Sequence, residues 1–303
     1  MGKEPHPVAQ SRSRLAKVRA RLDLPTVRRA AGLLEGRHRS IYSGHGQDFD
    51  EMALYQFGDD VGDIDWKSSA SSGHPVIRRF VRDSNVAMVL ALDTGRNMAA
   101  TAPDGSMKSD IALFAAEVIC YLARARGDLV ALVAGDEDRI VQIPARGGTE
   151  HMEMLLRRSE SMLDLEAPPS DLNRVFDRIL TWFTRRSLVV LITDEARPRP
   201  EHELGLKRLR TRHEVMVIQI GDVLPTAFSD RVIDDVDTHL EIPEYLRSRK
   251  DLSAEAADAA LRRRHDVAAM LRRQGVEAVT ANSEDELIDR MFDLLRRQRR
   301  VRH

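Results

Sequence analysis

Apolar residues in this chain fall into two rhythms, and the change between them comes just after Asp83. Beyond that point NVAMVLALD (85–93), DLVALVAG (128–135), SLVVLITD (187–194) and EVMVIQIG (214–221) are nearly continuous apolar runs of strand length. Such runs belong to strands buried on both faces of a parallel sheet. DRIVQIPA (138–145) predicts a strand that pairs with its predecessor across the acidic turn GDED, and VEAVTA (276–281) predicts a last strand. Between them the period lengthens to that of helices: Ser109–Arg126, TEHMEMLLRRSESML (149–163), DLNRVFDRILTWFTRR (171–186), EHELGLKRLRTR (201–212), AEAADAALRRRHDVAAMLRRQG (254–275) and EDELIDRMFDLLRRQ (284–298). In the second of these, Met152, Leu155, Leu156 and Met162 or Leu163 make the inner face. Gly275 marks a helix end. Strands alternating with helices predict an α/β domain around a mostly parallel sheet over residues 85–303.

Ahead of Asp83 neither rhythm holds. Residues 1–24 are polar and basic and read as a loose arm or a surface helix, and 25–84 as irregular and β structure rich in turn formers. Within it, Asp65–Ala70 and Pro75–Arg82 read as two extended pieces joined by Ser71–His74 in a hairpin.

Composition narrows the function classes. With 42% hydrophobic and 31% charged residues the chain is globular. A formal net charge of -1 gives no overall field that would gather nucleic acid or an anionic membrane. The longest apolar runs, 86–92 and 188–192, are too short to span a bilayer, and the first residues lack a signal-peptide core. A single cysteine, Cys120, excludes an internal disulfide and fits a reducing compartment, so a cytoplasmic protein with no membrane span is expected. Cys120 lies within IALFAAEVICYLA and reads as a buried, inert thiol. The basic end RRQRRVRH (296–303) reads as a solvated helix terminus rather than a nucleic-acid site.

Chemistry is most concentrated where strands end. Asp93 and Asp194 each close an apolar run, and ligands of open α/β sheets bind beyond the carboxyl ends of the strands. If the two strands are neighbours, both carboxylates stand on one rim, where they either share a hard divalent ion or cap the turns that follow. Asp93-Thr94-Gly95-Arg96-Asn97 resembles the Asp-x-Ser-x-Ser metal motif of von Willebrand factor A domains, with Gly95 and Asn97 in place of the two serines. That resemblance implies a degenerate metal-ion-dependent adhesion site. Its candidate ligands are Asp93, Asn97, Ser170 (in the position of a threonine from a later loop) and Asp194, and its candidate ions are Mg²⁺ and Mn²⁺.

A second resemblance lies upstream. Gly36-Arg37-His38-Arg39-Ser40, Gly44-His45-Gly46-Gln47-Asp48-Phe49, Tyr55-Gln56-Phe57-Gly58-Asp59-Asp60 and Ile64-Asp65-Trp66-Lys67-Ser68-Ser69-Ala70 follow one another in order. The series is similar to the signature of the domain-of-unknown-function 58 family, whose members carry a von Willebrand A-like domain. Two arginines usual in that signature are replaced here, by the pair Gly62-Asp63 and by Ser71. The aspartates are therefore expected to pair with Lys67, Arg78 or Arg79. Gly58, Asp59, Asp60, Ile64, Asp65, Trp66 and Lys67 read as a structural turn with some carboxylates free for partner contact, Trp66 burying its ring to anchor it.

Relatives in that family commonly occur beside MoxR-type AAA+ ATPases. The resemblance thus implies a von Willebrand A-like (Rossmann-like) fold and a non-enzymatic adaptor or co-chaperone that binds such an ATPase or its client protein at the sheet's rim. The alternative from another class is a metal-dependent hydrolase using Asp93 and Asp194 with the aspartates of 59–65, which requires those groups to converge in one pocket.

Overall fold

The computed structural model describes residues 13–15, 51–54, 64–79, 87–223, 235–236, 241 and 250–291. Its centre is a six-stranded sheet of β3 (Ala87–Asp93), β4 (Leu129–Gly135), β5 (Ile140–Arg146), β6 (Leu188–Asp194), β7 (Glu214–Ile220) and β8 (Glu277–Ala281). The spatial order is β5-β4-β3-β6-β7-β8. Every pairing is parallel except β4 with β5, which is the pair predicted across the GDED turn. Counted within this sheet the order is 3-2-1-4-5-6, so the winding reverses between β3 and β6. That gap is the topological switch point, where open α/β sheets receive ligands.

Alternation along the strands divides the core into two layers. Met88, Leu90 and Leu92 of β3, with Leu188, Val190 and Ile192 of β6, face helices α2 (Lys108–Arg126) and α3 (Thr149–Glu160). Leu287 and Met291, from a helix over 284–291, join the same layer. Val89 and Ala91, with Val189, Leu191, Val215 and Val217, face α4 (Leu172–Trp182), α5 (Glu203–Arg212) and α6 (Lys250–Arg273). A strand covered on both faces has no polar side to offer, which is why the central runs are apolar throughout. The predicted inner face of α3 holds: Met152, Leu155 and Leu156 are fully buried. Cys120 is buried in α2, and burial pushes its thiol up to about 12, so it stays protonated. No helix among the described residues is long and apolar enough to cross a membrane.

The signature segment departs from the hairpin expected of it. Trp66–Ser72 is helix α1, and its predicted partner Val76–Arg79 (β2) pairs antiparallel with Glu51–Leu54 (β1) instead. The cause is local. The Asp65 carboxylate accepts from the backbone N–H groups of Lys67 and Ser68, both at 3.0 Å, which is an N-cap. Gly73, at φ 73°, closes the helix in the left-handed conformation. Trp66 does not anchor the turn by burial: 70% of its surface is exposed. Of the other signature residues, Ile64 is half-buried and Lys67 is exposed, while Gly58, Asp59, Asp60 and Asp63 lie outside the described residues. Part of the basic arm is fixed in place, because Leu15 is buried in the α2–α3 layer and Arg14 pairs with Glu117 at 2.9 Å and with Glu160.

Candidate functional site at the switch point

β3 and β6 are parallel neighbours, so Asp93 and Asp194 both stand at the carboxyl-end rim, with Thr193 level with Asp93 and Asp194 one residue beyond it. Asp93 is wholly buried. Its carboxylate accepts from the Ser170 hydroxyl at 2.7 Å to each oxygen, from the Thr193 hydroxyl at 2.7 Å and from Gly95 N–H at 3.0 Å. The residue proposed for the distant loop position, Ser170, thus meets Asp93 directly. Burial outweighs these donors and the nearby Arg197, so the Asp93 carboxyl sits above the ordinary aspartate range.

Gly95 explains how Ser170 comes so close. A Cβ at position 95 would lie 2.5 Å from the Ser170 nitrogen and 2.6 Å from its Cα and Cβ. The loop carrying Ser170 therefore occupies the space that a serine side chain would need. It is pinned there by Arg96, whose N–H donates to Pro168 O at 3.1 Å and whose Nε donates to Ala167 O at 2.9 Å.

Asp194 is held differently. The Lys108 ammonium donates to Asp194 Oδ2 at 2.6 Å and lies 2.8 Å from Asp222 Oδ1, just beyond the end of β7. Ala196 N–H donates to Asp194 Oδ1 at 2.8 Å, and the Arg197 guanidinium stands 3.9 Å from the same oxygen. The Lys108 side chain is 1% exposed. Burial alone pulls the pKa of this amine down. The attraction of Asp194 and Asp222 outweighs it and lifts the Lys108 pKa, while Lys108 holds the Asp194 carboxyl low against its own burial.

Asp136, after β4, completes the row. It accepts from the Thr94 hydroxyl at 2.9 Å and from Arg139 through both N–H at 2.7 Å and Nε at 2.8 Å. The rule that found Asp93 and Asp194, a carboxylate closing an apolar run, applies equally to Asp136 and Asp222. Lys108 carried a different signal: a cation in the first turn of a long helix opposes the helix dipole and so needs anions nearby.

These residues do not fit a hard divalent ion as arranged. Asp93 already accepts from two hydroxyls and one backbone N–H, and Gly95 brings no side chain. Asp194 already has an ammonium where an ion would bind, and a second cation there would repel it strongly at such range. Asn97, in the 3₁₀ turn Arg96–Ala99, is buried, and among the described residues neither its amide oxygen nor its nitrogen has a hydrogen-bond partner. It alone of the four expected ligands remains uncommitted, and a neutral amide holds a divalent ion poorly by itself. Asp65, the described member of the upstream aspartates, serves as the α1 cap.

A second concavity, of about 850 Å³, is lined by Asp104, Asp110, Glu117, Glu160 and Glu284, with Arg14 inserted among them. Burial and the neighbouring Glu284 raise the Asp110 carboxyl.

A model of the family described as "Protein of unknown function DUF58" matches residues 51–274. Uncharacterized proteins of Mycobacterium tuberculosis and Mycobacterium bovis are 28% identical over 282 residues, covering 89% of this chain and 86% of theirs. Among solved structures, the conserved hypothetical protein BatB from Bacteroides thetaiotaomicron is similar over 71% of this chain and 99% of its own, at 14% identity and a TM-score of 0.45. A von Willebrand factor type A protein from Catenulispora acidiphila is similar over 70% of this chain and 42% of its own, at 11% identity and a TM-score of 0.39.

Proposed function

Because this chain belongs to the DUF58 family, we propose that it is a non-enzymatic interaction module, an adaptor or co-chaperone of a MoxR-type AAA+ ATPase in the cytoplasm. The ATPase or its client is met at the rim of the sheet. The observation that carries this reading is the closure of the rim's charges on one another. Asp93 is bound by Ser170, Thr193 and Gly95, and Asp194 by Lys108. A hydrolytic site needs an open metal position and a positioned water, so the same bonds weigh against the hydrolase alternative. What the rim presents outward is shape, the half-exposed Asp222 carboxylate and the exposed acidic turn Glu137-Asp138. Apart from the rim, Trp66 on α1 is 70% exposed and is of a residue type that often carries binding energy at protein interfaces.

The test is calorimetric titration of the full chain with the MoxR-type ATPase of the same genome, with ATP present. Saturable binding is expected, weakened about tenfold by Trp66→Ala or by Glu137→Arg with Asp138→Arg, together with no turnover of phosphate or peptide esters. Absence of association at every salt concentration, or metal-stimulated hydrolysis abolished by Asp93→Asn, would reject the adaptor reading.

A further inference from the structure

We infer that Lys108 is the resident cation of the switch-point rim: its ammonium stands in for a divalent ion and makes the site permanently metal-independent. Three independent features converge on this. The first is charge. Asp194 and Asp222 bring two negative charges, and the Lys108 ammonium at 2.6 and 2.8 Å with the Arg197 guanidinium at 3.9 Å brings two positive ones. Around Lys108 itself the two carboxylates are matched by two cations, one of which, Arg197, also acts on Asp93.

The second feature is enclosure. The Lys108, Asp194 and Arg197 side chains are 1%, 3% and 7% exposed. Asp222, at 47%, is the member that solvent reaches. An ammonium introduced through the chain needs no entry path, whereas an ion would have to displace one that is covalently tethered. The third is the fate of the remaining donors. An ammonium has three N–H groups, against the six or more ligand positions of a hard divalent ion, so it can serve only part of the rim. Asp93 is accordingly served by hydroxyl and backbone donors, and Gly95 puts no side chain into the space that the Ser170 loop fills. The glycine, the tethered cation and the inward loop thus form one consistent replacement. This inference is independent of whether the chain meets an ATPase.

The experiment uses the full chain, stripped of metal, and reads Mn²⁺ uptake by electron paramagnetic resonance beside thermal melting with and without Mg²⁺ or Mn²⁺. Wild type is expected to leave millimolar Mn²⁺ free and to melt at the same temperature in chelator and in Mg²⁺. Lys108→Ala, which removes the ammonium and leaves room beside two carboxylates, is expected to melt about 10 °C lower. It is further expected to take up one Mn²⁺ and recover part of that loss. Stoichiometric Mn²⁺ on wild type, abolished by Asp194→Asn, would overturn the inference. So would a folded Lys108→Ala whose melting temperature no divalent ion raises. Should Lys108→Ala fail to fold, the wild-type titration with its Asp194→Asn control decides alone.

Discussion

Position 95 shows how far one residue can set the character of a site. Restoring the motif serine by Gly95→Ser would drive a Cβ into the Ser170 backbone, which lies 2.5–2.6 Å from where that carbon must go. Unfolding in urea is expected to show a loss of about 1–3 kcal/mol, the usual cost of overpacking, and no gain of Mn²⁺ affinity while Lys108 remains. Asp93 and Asp194 were legible because a strand ending is a local property of the chain, whereas Ser170, 77 positions after Asp93, was reached only through the resemblance to von Willebrand A domains. Lys108 was not legible, since its two carboxylates lie 86 and 114 positions later along the sequence and only the fold brings them to it. Trp66 failed for the opposite reason. Its size argued for burial, but on a short capped helix it points to solvent and is 70% exposed.

At the scale of elements, the apolar runs and the helical periods placed the strands and helices of the main sheet close to where they stand, including the antiparallel β4–β5 pair. Those patterns are read against a core that covers both faces, so they carry tertiary information. The segment Trp66–Ser72, WKSSASS, has no buried residue. With no apolar face there is no period to read, and its state is decided by its ends. Asp65 before it and Gly73 after it are helix-boundary residues, a signal that reading Asp65–Ala70 as a hairpin strand did not use. The cap makes a direct prediction. Asp65→Ala leaves the Lys67 and Ser68 N–H groups without their acceptor and should cost about 1 kcal/mol in denaturant titration, whereas Asp65→Ser or Asp65→Asn should retain most of it. If Asp65→Ala matches wild type, the carboxylate does not set the start of α1.

For the molecule as a whole, stability and acidity are linked through buried groups far from the rim. His213, where α5 gives way to β7, is buried, and its Nδ1 accepts from Ser187 N–H at 3.3 Å. Burial, assisted by Arg212 and Arg186, lowers its pKa from 6.5 to about 4. A depressed folded pKa means that its contribution is complete above pH 6.5 and is lost as pH falls towards 4, because the unfolded chain takes the proton first. Asp128 acts with the opposite sign in an overlapping window, since burial raises it from 3.8 to about 6 against the pull of Arg126. Its contribution grows as pH falls through that range. Wild type alone would show the two partly cancelled. Comparison with His213→Asn, which keeps an acceptor for Ser187, should isolate the histidine: the variant's deficit is expected to shrink from pH 7 to pH 4. A deficit independent of pH would mean that the ring is not discharged by the fold. The arrangement around Arg14 and Leu15 has a consequence in time. These residues are held by Glu117, Glu153 and Glu160, which follow them by 103 to 146 positions. On the ribosome they emerge long before their receptors exist, so this contact cannot guide early folding. It closes only after α2 and α3 are both in place, and reports that these two helices have come together.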